Sequence, residues 1–289
     1  MSGPRVIVVG SLHYDIMVDA VGWPALGETI PARRWRPKLG GKGRNQAVST
    51  KAAGIDTLMV GAVGRDEFGR ELASDLVGRG IDTRYLRTIE AQGSGISVAL
   101  SDGAGDYRAF IISSANLGLE PTDLPPPDEW RKAAVLVLQN EIPESINLAA
   151  AQAARAAGAM VVLNAAPYRP LAPELLGALD LLVINAVEAA QLGGFAEPTS
   201  IAAAGDAARQ LVGRARAVVV TAGASGSAYA AADRSFAVPA ERVDVRSAHG
   251  AGDAFVGALA AGLARIEPIE AAMRAASQAA ALLISAPEA

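Results

Sequence analysis

The chain has 289 residues, 51% hydrophobic and 19% charged, which is apolar enough for a large buried core and argues against disorder. A formal net charge of -4 and a pI near 5.4 exclude a general attraction to nucleic acid or to an anionic membrane surface. Cysteine is absent, so disulfides and thiolate metal sites are excluded, and a reducing cytoplasm is the expected setting.

In chain order, the first apolar run is Val6–Val9, strand-sized and closed by Gly10, so no secretory signal is expected. A mixed segment follows from Leu12 to Leu39, with Trp23-Pro24, Pro31 and Arg33-Arg34-Trp35-Arg36. A helix is predicted over Arg44–Ala53, a strand over Leu58–Val63 and a helix over Glu67–Gly78. Ser94 to Ile112 reads as two strands around the turn at residues 101–106. Leu124-Pro125-Pro126-Pro127 reads as a loop within the domain. Strands are then predicted at Val135–Leu138, Met160–Leu163, Leu181–Ile184 and Val218–Thr221, and helices at Pro143–Ala157, Ile201–Val212, Ala251–Ala264 and Pro268–Ile284. The Ala-rich last helix carries Arg274, Ser277 and Gln278 and is too polar to span a membrane.

Near-continuous apolar runs suit strands buried on both faces. Their alternation with helices predicts an α/β fold, a doubly wound and mostly parallel sheet with helices on both faces, as a single domain over residues 1–289. Segments 12–39 and 94–112 break the rhythm and are expected to form a small β lid over the crevice at the strand ends. No internal repeat is visible.

Two stretches carry chemistry. In Gly40-Gly41-Lys42-Gly43-Arg44-Asn45-Gln46-Ala47 the glycines permit close backbone approach, and a helix starting near Arg44 aims free N–H groups at a ligand. Lys42 adds charge and Asn45 a two-way hydrogen-bonding group. The same residues also suit a plain turn before a helix. No Ser or Thr follows the lysine, so this is not a Walker A loop. In Gly250-Ala251-Gly252-Asp253-Ala254-Phe255, small residues at a helix N-terminus form an anion hole. Asp253 is there either a helix cap or a base that takes the proton of an attacking hydroxyl.

These stretches resemble the two signatures of the ribokinase-like, or PfkB, carbohydrate kinase family, in the right order and over nearly the whole chain. The first is met by Gly41, Gly43, Asn45, Ala47, Gly54 and Gly64, and the second from Gly250 to Ala260, with Ala248 a mismatch. The resemblance implies a kinase that uses ATP and Mg2+ to phosphorylate a hydroxyl of a small sugar. Asp253 would then be the base, with Gly250, Ala251 and Gly252 as the anion hole. It further implies that His13, Asp15, Gly41, Lys42, Asn45 and Glu141 bind the sugar. Asn185, Thr221, Gly223 and Gly226 would meet ATP, and Asn185 with Glu188 would order Mg2+ through water. Asn164 either lines the cleft or shapes a loop. Lid strands of this family often pair between subunits, so a homodimer through the lid is expected, with no nucleic-acid or membrane partner.

The chain also departs from the family pattern. Potassium-dependent relatives place an aspartate six residues before the base; here that position is Ser247, and the chain ends at Ala289, so weak or no potassium activation is expected. His13 stands where close ribokinases have asparagine, and Tyr14 and Arg44 are bulkier than usual. Arg44 with Arg33, Arg34 and Arg36 suits either a phosphorylated sugar or a solvated lid surface. Tyr14 and the lid tryptophans would suit a nucleoside base. Alternatives to a sugar kinase are therefore a nucleoside or sugar-phosphate kinase, or a catalytically silent sugar-binding protein.

Overall fold

The strand of Arg5–Val9 (β1) is buried along Val6 to Val9, and its side chains alternate between two cores. Ile7 and Val9 face one, Val6 and Val8 the other. A computed structural model describes residues 3–101 and 107–286 and explains this double burial. After β1 come β2 (His13–Ala20), β3 (Ala32–Gly40), α1 (Lys42–Ala52), β4 (Asp56–Gly64), α2 (Glu67–Gly78), β5 (Asp82–Ile89), β6 (Gly95–Ser101) and β7 (Tyr107–Ile112). Then follow α3 (Pro127–Trp130), β8 (Ala133–Gln139), α4 (Glu144–Ala156), β9 (Met160–Asn164), α5 (Pro173–Ala178), β10 (Leu181–Asn185), α6 (Ala186–Gly193) and α7 (Ile201–Leu211). The chain continues through β11 (Ala217–Thr221), β12 (Ser227–Ala231), β13 (Ser235–Val238), α8 (Ala251–Ala264) and α9 (Ile269–Ser285).

The main sheet has nine strands in the order β13-β12-β11-β10-β9-β8-β1-β4-β5. It is parallel from β11 to β5, with the β12–β13 hairpin antiparallel at one edge. Helices α4, α5, α6 and α7 cover one face, and α1, α2, α8 and α9 the other. This is the doubly wound α/β architecture expected from the apolar runs, whose strands form the inner part of the sheet. Among the described residues no helix is long and apolar enough to cross a membrane.

A second sheet of four strands, β3-β2-β6-β7, is built from residues 13–40 and 95–112. Five residues of the turn expected after Ser101 lie outside the described residues. Asn116 clamps the junction between the sheets: its side chain accepts from Leu12 N (2.9 Å) and donates to Leu12 O (2.8 Å).

Helix α8 is almost wholly buried because its Ala and Gly residues let neighbours come close. A Cβ on Gly257 would lie 2.5 Å from the Gln46 carbonyl, so α1 and α8 touch backbone to backbone. The close approach at Gly257 fixes the register of the pair, and Thr50 Oγ1 donates to Gly257 O (3.1 Å) and Ser49 Oγ to Ala254 O (2.8 Å) across it. That register decides which α1 side chains meet Asp253.

Candidate active site

The loops after β1, β8, β9, β10 and β11 all leave the carboxyl edge of the parallel strands, the edge where open α/β sheets bind ligands. Two helix N-termini converge on it. Helix α1 starts after Gly41 (φ 89°) and α8 after Gly250 (φ 89°), backbone conformations that glycine tolerates. Gly41 and Gly43 owe their place to the chain itself: added Cβ atoms would lie 2.7 Å from His13 N and 2.6 Å from the Gly10 carbonyl carbon. The expected close approach is thus of α1 to the β1–β2 turn.

Asp253 sits in the first turn of α8 and is only 7% exposed. Its Oδ2 accepts from Asn45 Nδ2 (3.1 Å) and its Oδ1 from Gln46 Nε2 (2.9 Å). Burial pushes its carboxyl above the ordinary aspartate value, against the pull of Lys42 and the two amides. No side-chain cap closes α8, so Asp253 is not spent as a helix cap.

Across the cleft, His13 and Asp15 share one face of β2. Asp15 is 4% exposed, and its Oδ1 accepts from Ser97 Oγ (2.5 Å). Burial raises its carboxyl, opposed by that hydroxyl and by His13, His249 and Lys38. Glu141 Oε2 accepts from Ser11 Oγ (2.5 Å) and Lys42 N (3.0 Å) and lies 3.7 Å from His13 Nδ1. One oxygen of Glu141 is therefore committed to the turn and to the start of α1. His13 is buried, and its Nε2 has no partner among the described residues.

Other expected roles change on contact with the structure. Tyr14 points to the opposite face of β2 and stacks on Phe68 at 4.3 Å, so it is withdrawn from any base pocket. Arg44 donates to Leu39 O (3.0 Å), Asn45 Oδ1 (3.1 Å) and Asp75 Oδ2 (2.6 Å), which spends its guanidinium on the fold. Arg34 pairs with Asp19 of β2. Of the four arginines that suited a phosphorylated substrate, Arg44 and Arg34 are thus paired within the protein.

Asn185 and Glu188 form a reciprocal capping box on α6: Asn185 Oδ1 accepts from Glu188 N (2.8 Å), and Glu188 Oε2 from Asn185 N (2.9 Å). Burial raises the Glu188 carboxyl, Lys42 opposes the shift, and Asp253 adds to it. A cavity of about 850 Å³ lies beside this pair and the start of α8. Asn185, Thr221, Gly223, Gly226, Ala251 and Gly252 all line it, with an apolar wall from Val243, Val245, Phe255 and Ile284. Gly226 (φ 112°) turns tightly against Val238 O, where a side chain would not fit.

Four residues were given no role by a reading of motifs. Gln46 and Gln139 reach Asp253 as a buried chain, and Arg242 lines the cavity from the loop after β13. His249 stands open to the cleft beside Asp15 and Asp253; crowding by protein, then Lys38, pushes its imidazole below the ordinary value. Gln46 and His249 left a sequence signal by adjacency to Asn45 and Gly250, and Gln139 by its place in the strand-end segment Gln139-Asn140-Glu141.

Residues 4–289 match the description "pfkB family carbohydrate kinase". The chain belongs to the pfkB family of carbohydrate kinases. Within this family it is 31% identical over 282 residues to a ribokinase of Bacillus subtilis, covering 97% of this chain and 92% of the relative. A deoxyribokinase of Salmonella typhi is 32% identical over 274 residues, covering 93% of this chain and 89% of that one. A solved structure of Arabidopsis thaliana ribokinase complexed with ribose and ATP superposes with a TM-score of 0.91 at 30% identity, covering 100% of this chain and 95% of that one. As a pfkB-family member the protein is a sugar kinase, and its second sheet belongs to a ribokinase-like fold.

Proposed function

We propose that this carbohydrate kinase transfers the terminal phosphoryl group of ATP to a hydroxyl of a small ribose-like sugar, with Asp253 as base. The observation that carries this reading is the buried Asp253 carboxylate, held by two amides where two helix N-termini meet, between Asp15 and a nucleotide-sized cavity. The sugar lies under the small sheet, which acts as a lid, with Asp15 accepting from its hydroxyls and His13 Nε2, Lys42, Asn45 and Glu141 beside it. Ribokinase and deoxyribokinase relatives support that substrate class.

In the reaction the acceptor hydroxyl gives its proton to Asp253 as its oxygen forms a bond to the terminal phosphorus. The bond from that phosphorus to the bridging oxygen breaks, and ADP leaves. The N–H groups of Ala251, Gly252 and Asp253, with Gly250 shaping the turn, stabilise charge on the transferring group. Thr221, Gly223 and Gly226 hold the nucleotide. Most of the rate gain is positioning and fixed electrostatics.

Asn185 and Glu188 are the residues that would hold Mg2+. Among the described residues no cluster of three acidic or imidazole groups surrounds one point, and one Glu188 oxygen serves the capping box. That donor set fits an ion that keeps much of its water and takes its remaining ligands from phosphates. Bound there, the ion would supply charge neutralisation.

Potassium activation is expected to be weak or absent. Ser247 offers no charge, and Ile284 O already accepts from Arg246 N (2.8 Å) and Ser247 N (3.3 Å). A large rate increase with added K+ at constant ionic strength refutes this. Exposed Trp35, Phe110 and Ile111 support pairing of two copies through the small sheet, which sedimentation tests. ATP supply and the absence of cysteine fit a cytoplasmic setting.

The deciding experiment measures ADP production from Mg-ATP across pentoses, hexoses, nucleosides and their phosphates. Turnover with free pentoses that falls at least about a hundredfold in Asp253→Asn is the expected result. Turnover confined to nucleosides or phosphorylated sugars moves the substrate class. Sugar binding without turnover identifies a silent binder.

A further inference from the structure

The two oxygens of Asp253 are held in different ways. Oδ2 meets Asn45, a partly exposed residue at the edge of the cleft. Oδ1 meets Gln46, and behind it runs a chain of amides closed to solvent. Gln46 Oε1 accepts from Gln139 Nε2 (2.8 Å), and Gln139 O accepts from Asn147 Nδ2 (2.7 Å). Gln46, Gln139 and Asn147 are each 0% exposed and stand on α1, β8 and α4. The chain therefore crosses from one face of the sheet to the other and ends on the carboxylate.

Chemistry fixes its polarity. An ionised carboxylate only accepts, so Gln46 must present Nε2 to Asp253, which leaves Oε1 for Gln139 and obliges Gln139 to present its own Nε2. Gln139 Oε1 is left without a partner among the described residues. It fills the space where Gly10 lacks a side chain. An unsatisfied buried acceptor costs stability, so a pair serving only to hold α1 on the sheet is a poor use of these amides.

We propose that Gln46 and Gln139 are positioning residues that pin Oδ1 of Asp253, so that Oδ2 alone is presented to the acceptor hydroxyl and takes its proton. The inference rests on the assignment of Asp253 as base. A carboxylate free to rotate meets the hydroxyl in productive geometry only part of the time, and small misplacements of a base are costly in rate. Amides also favour the ionised form without bringing a counter-charge into the site. The titratable groups facing Asp253 are Lys42 on α1, Glu141 after β8, Glu188 on α6 and His249 before α8. Asn45 and Gln46 are the neutral donors among them, and loss of Gln46 leaves the acids less opposed.

The test compares wild type, Gln46→Met, Gln139→Met and Thr50→Val for kcat, both KM values, the pH dependence of kcat and melting temperature. Thr50 makes buried hydrogen bonds at the same α1–α8 contact without reaching Asp253, so Thr50→Val is the structural control. Expected for Gln46→Met is a fall in kcat of about ten- to a hundredfold, KM values within about threefold, and an acidic limb moved to higher pH. Gln139→Met, which keeps the direct donor to Asp253, shows the same pattern at about three- to tenfold and remains informative if Gln46→Met fails to fold. Thr50→Val lowers the melting temperature and leaves kcat and the pH limb in place. The inference is overturned if both Met variants behave like Thr50→Val. Absence of sugar-dependent turnover in wild type overturns the base assignment itself.

Discussion

The two halves of the cleft differ in how far their polar groups are engaged before anything binds. On the acceptor side, Asp253 takes two amides, Asp15 a serine and Glu141 a serine and a backbone N–H. On the nucleotide side, Thr221, Gly223 and Gly226 border an open cavity whose far wall is Val243, Val245, Phe255 and Ile284. On the proposed assignment, the contrast follows from the task on each side. A base must be aimed to within a fraction of an ångström, and neighbouring side chains do the aiming. A flat purine needs a slot, and phosphates need backbone N–H groups, which many side chains can frame equally well.

The strongest way to break the contrast is Asp253→Asn, expected to lower kcat at least about a hundredfold while leaving ATP binding near wild type. If activity is kept, the acceptor side is not aimed at chemistry at all. Because burial raises the Asp253 carboxyl, the acidic limb of wild-type turnover is expected above the ordinary aspartate range, which a pH–rate profile measures. Next in size, Asp15→Asn is expected to raise sugar KM about ten- to a hundredfold with ATP KM unchanged.

The same variant has a stability signature. The raised Asp15 carboxyl means that the fold disfavours its charged form, so its contribution is fully present below the unfolded value and lost as pH rises through the folded one. Asp15→Asn removes that loss and keeps an oxygen for Ser97, so the variant is expected to melt above wild type at neutral pH. The difference closes at acid pH, as calorimetry across pH tests.

Gly41→Ala forces a side chain into a left-handed backbone against His13 N, and is expected to cost about 1–3 kcal/mol of stability by denaturant titration. The smallest effect sharpens the other half of the contrast. Ile284→Ala thins the apolar wall and is expected to raise ATP KM only a few-fold, with sugar KM unchanged. A change in sugar KM instead would mean that the two halves are not separable.

Much of the framework was legible because buried parallel strands write themselves as apolar runs, as in Val6–Val9 and Val218–Thr221. Strand β5 was not: Asp-Thr-Arg-Tyr-Leu-Arg-Thr-Ile is half polar because it closes the sheet at an edge. Helices α5 and α6 are too short for a periodic pattern to emerge. In the site, helix-start chemistry drew attention to Asp253 and Asn45, but not to Gln46 and Gln139. Glutamines in a helix and a strand look ordinary until the fold brings them within hydrogen-bonding reach. The glycines of the first motif were legible as close approaches, though the partner was the chain's own turn.

The hydrogen bond from Asn45 to Asp253 joins positions 208 residues apart. During synthesis from the N-terminus, α1 and the inner strand β1 exist long before α8 has been made. The centre therefore cannot be assembled until α8 has been made and a long loop has closed. On the proposed assignment, a nascent chain that lacks α8 has neither base nor anion hole. On that assignment, activity waits on the synthesis of α8.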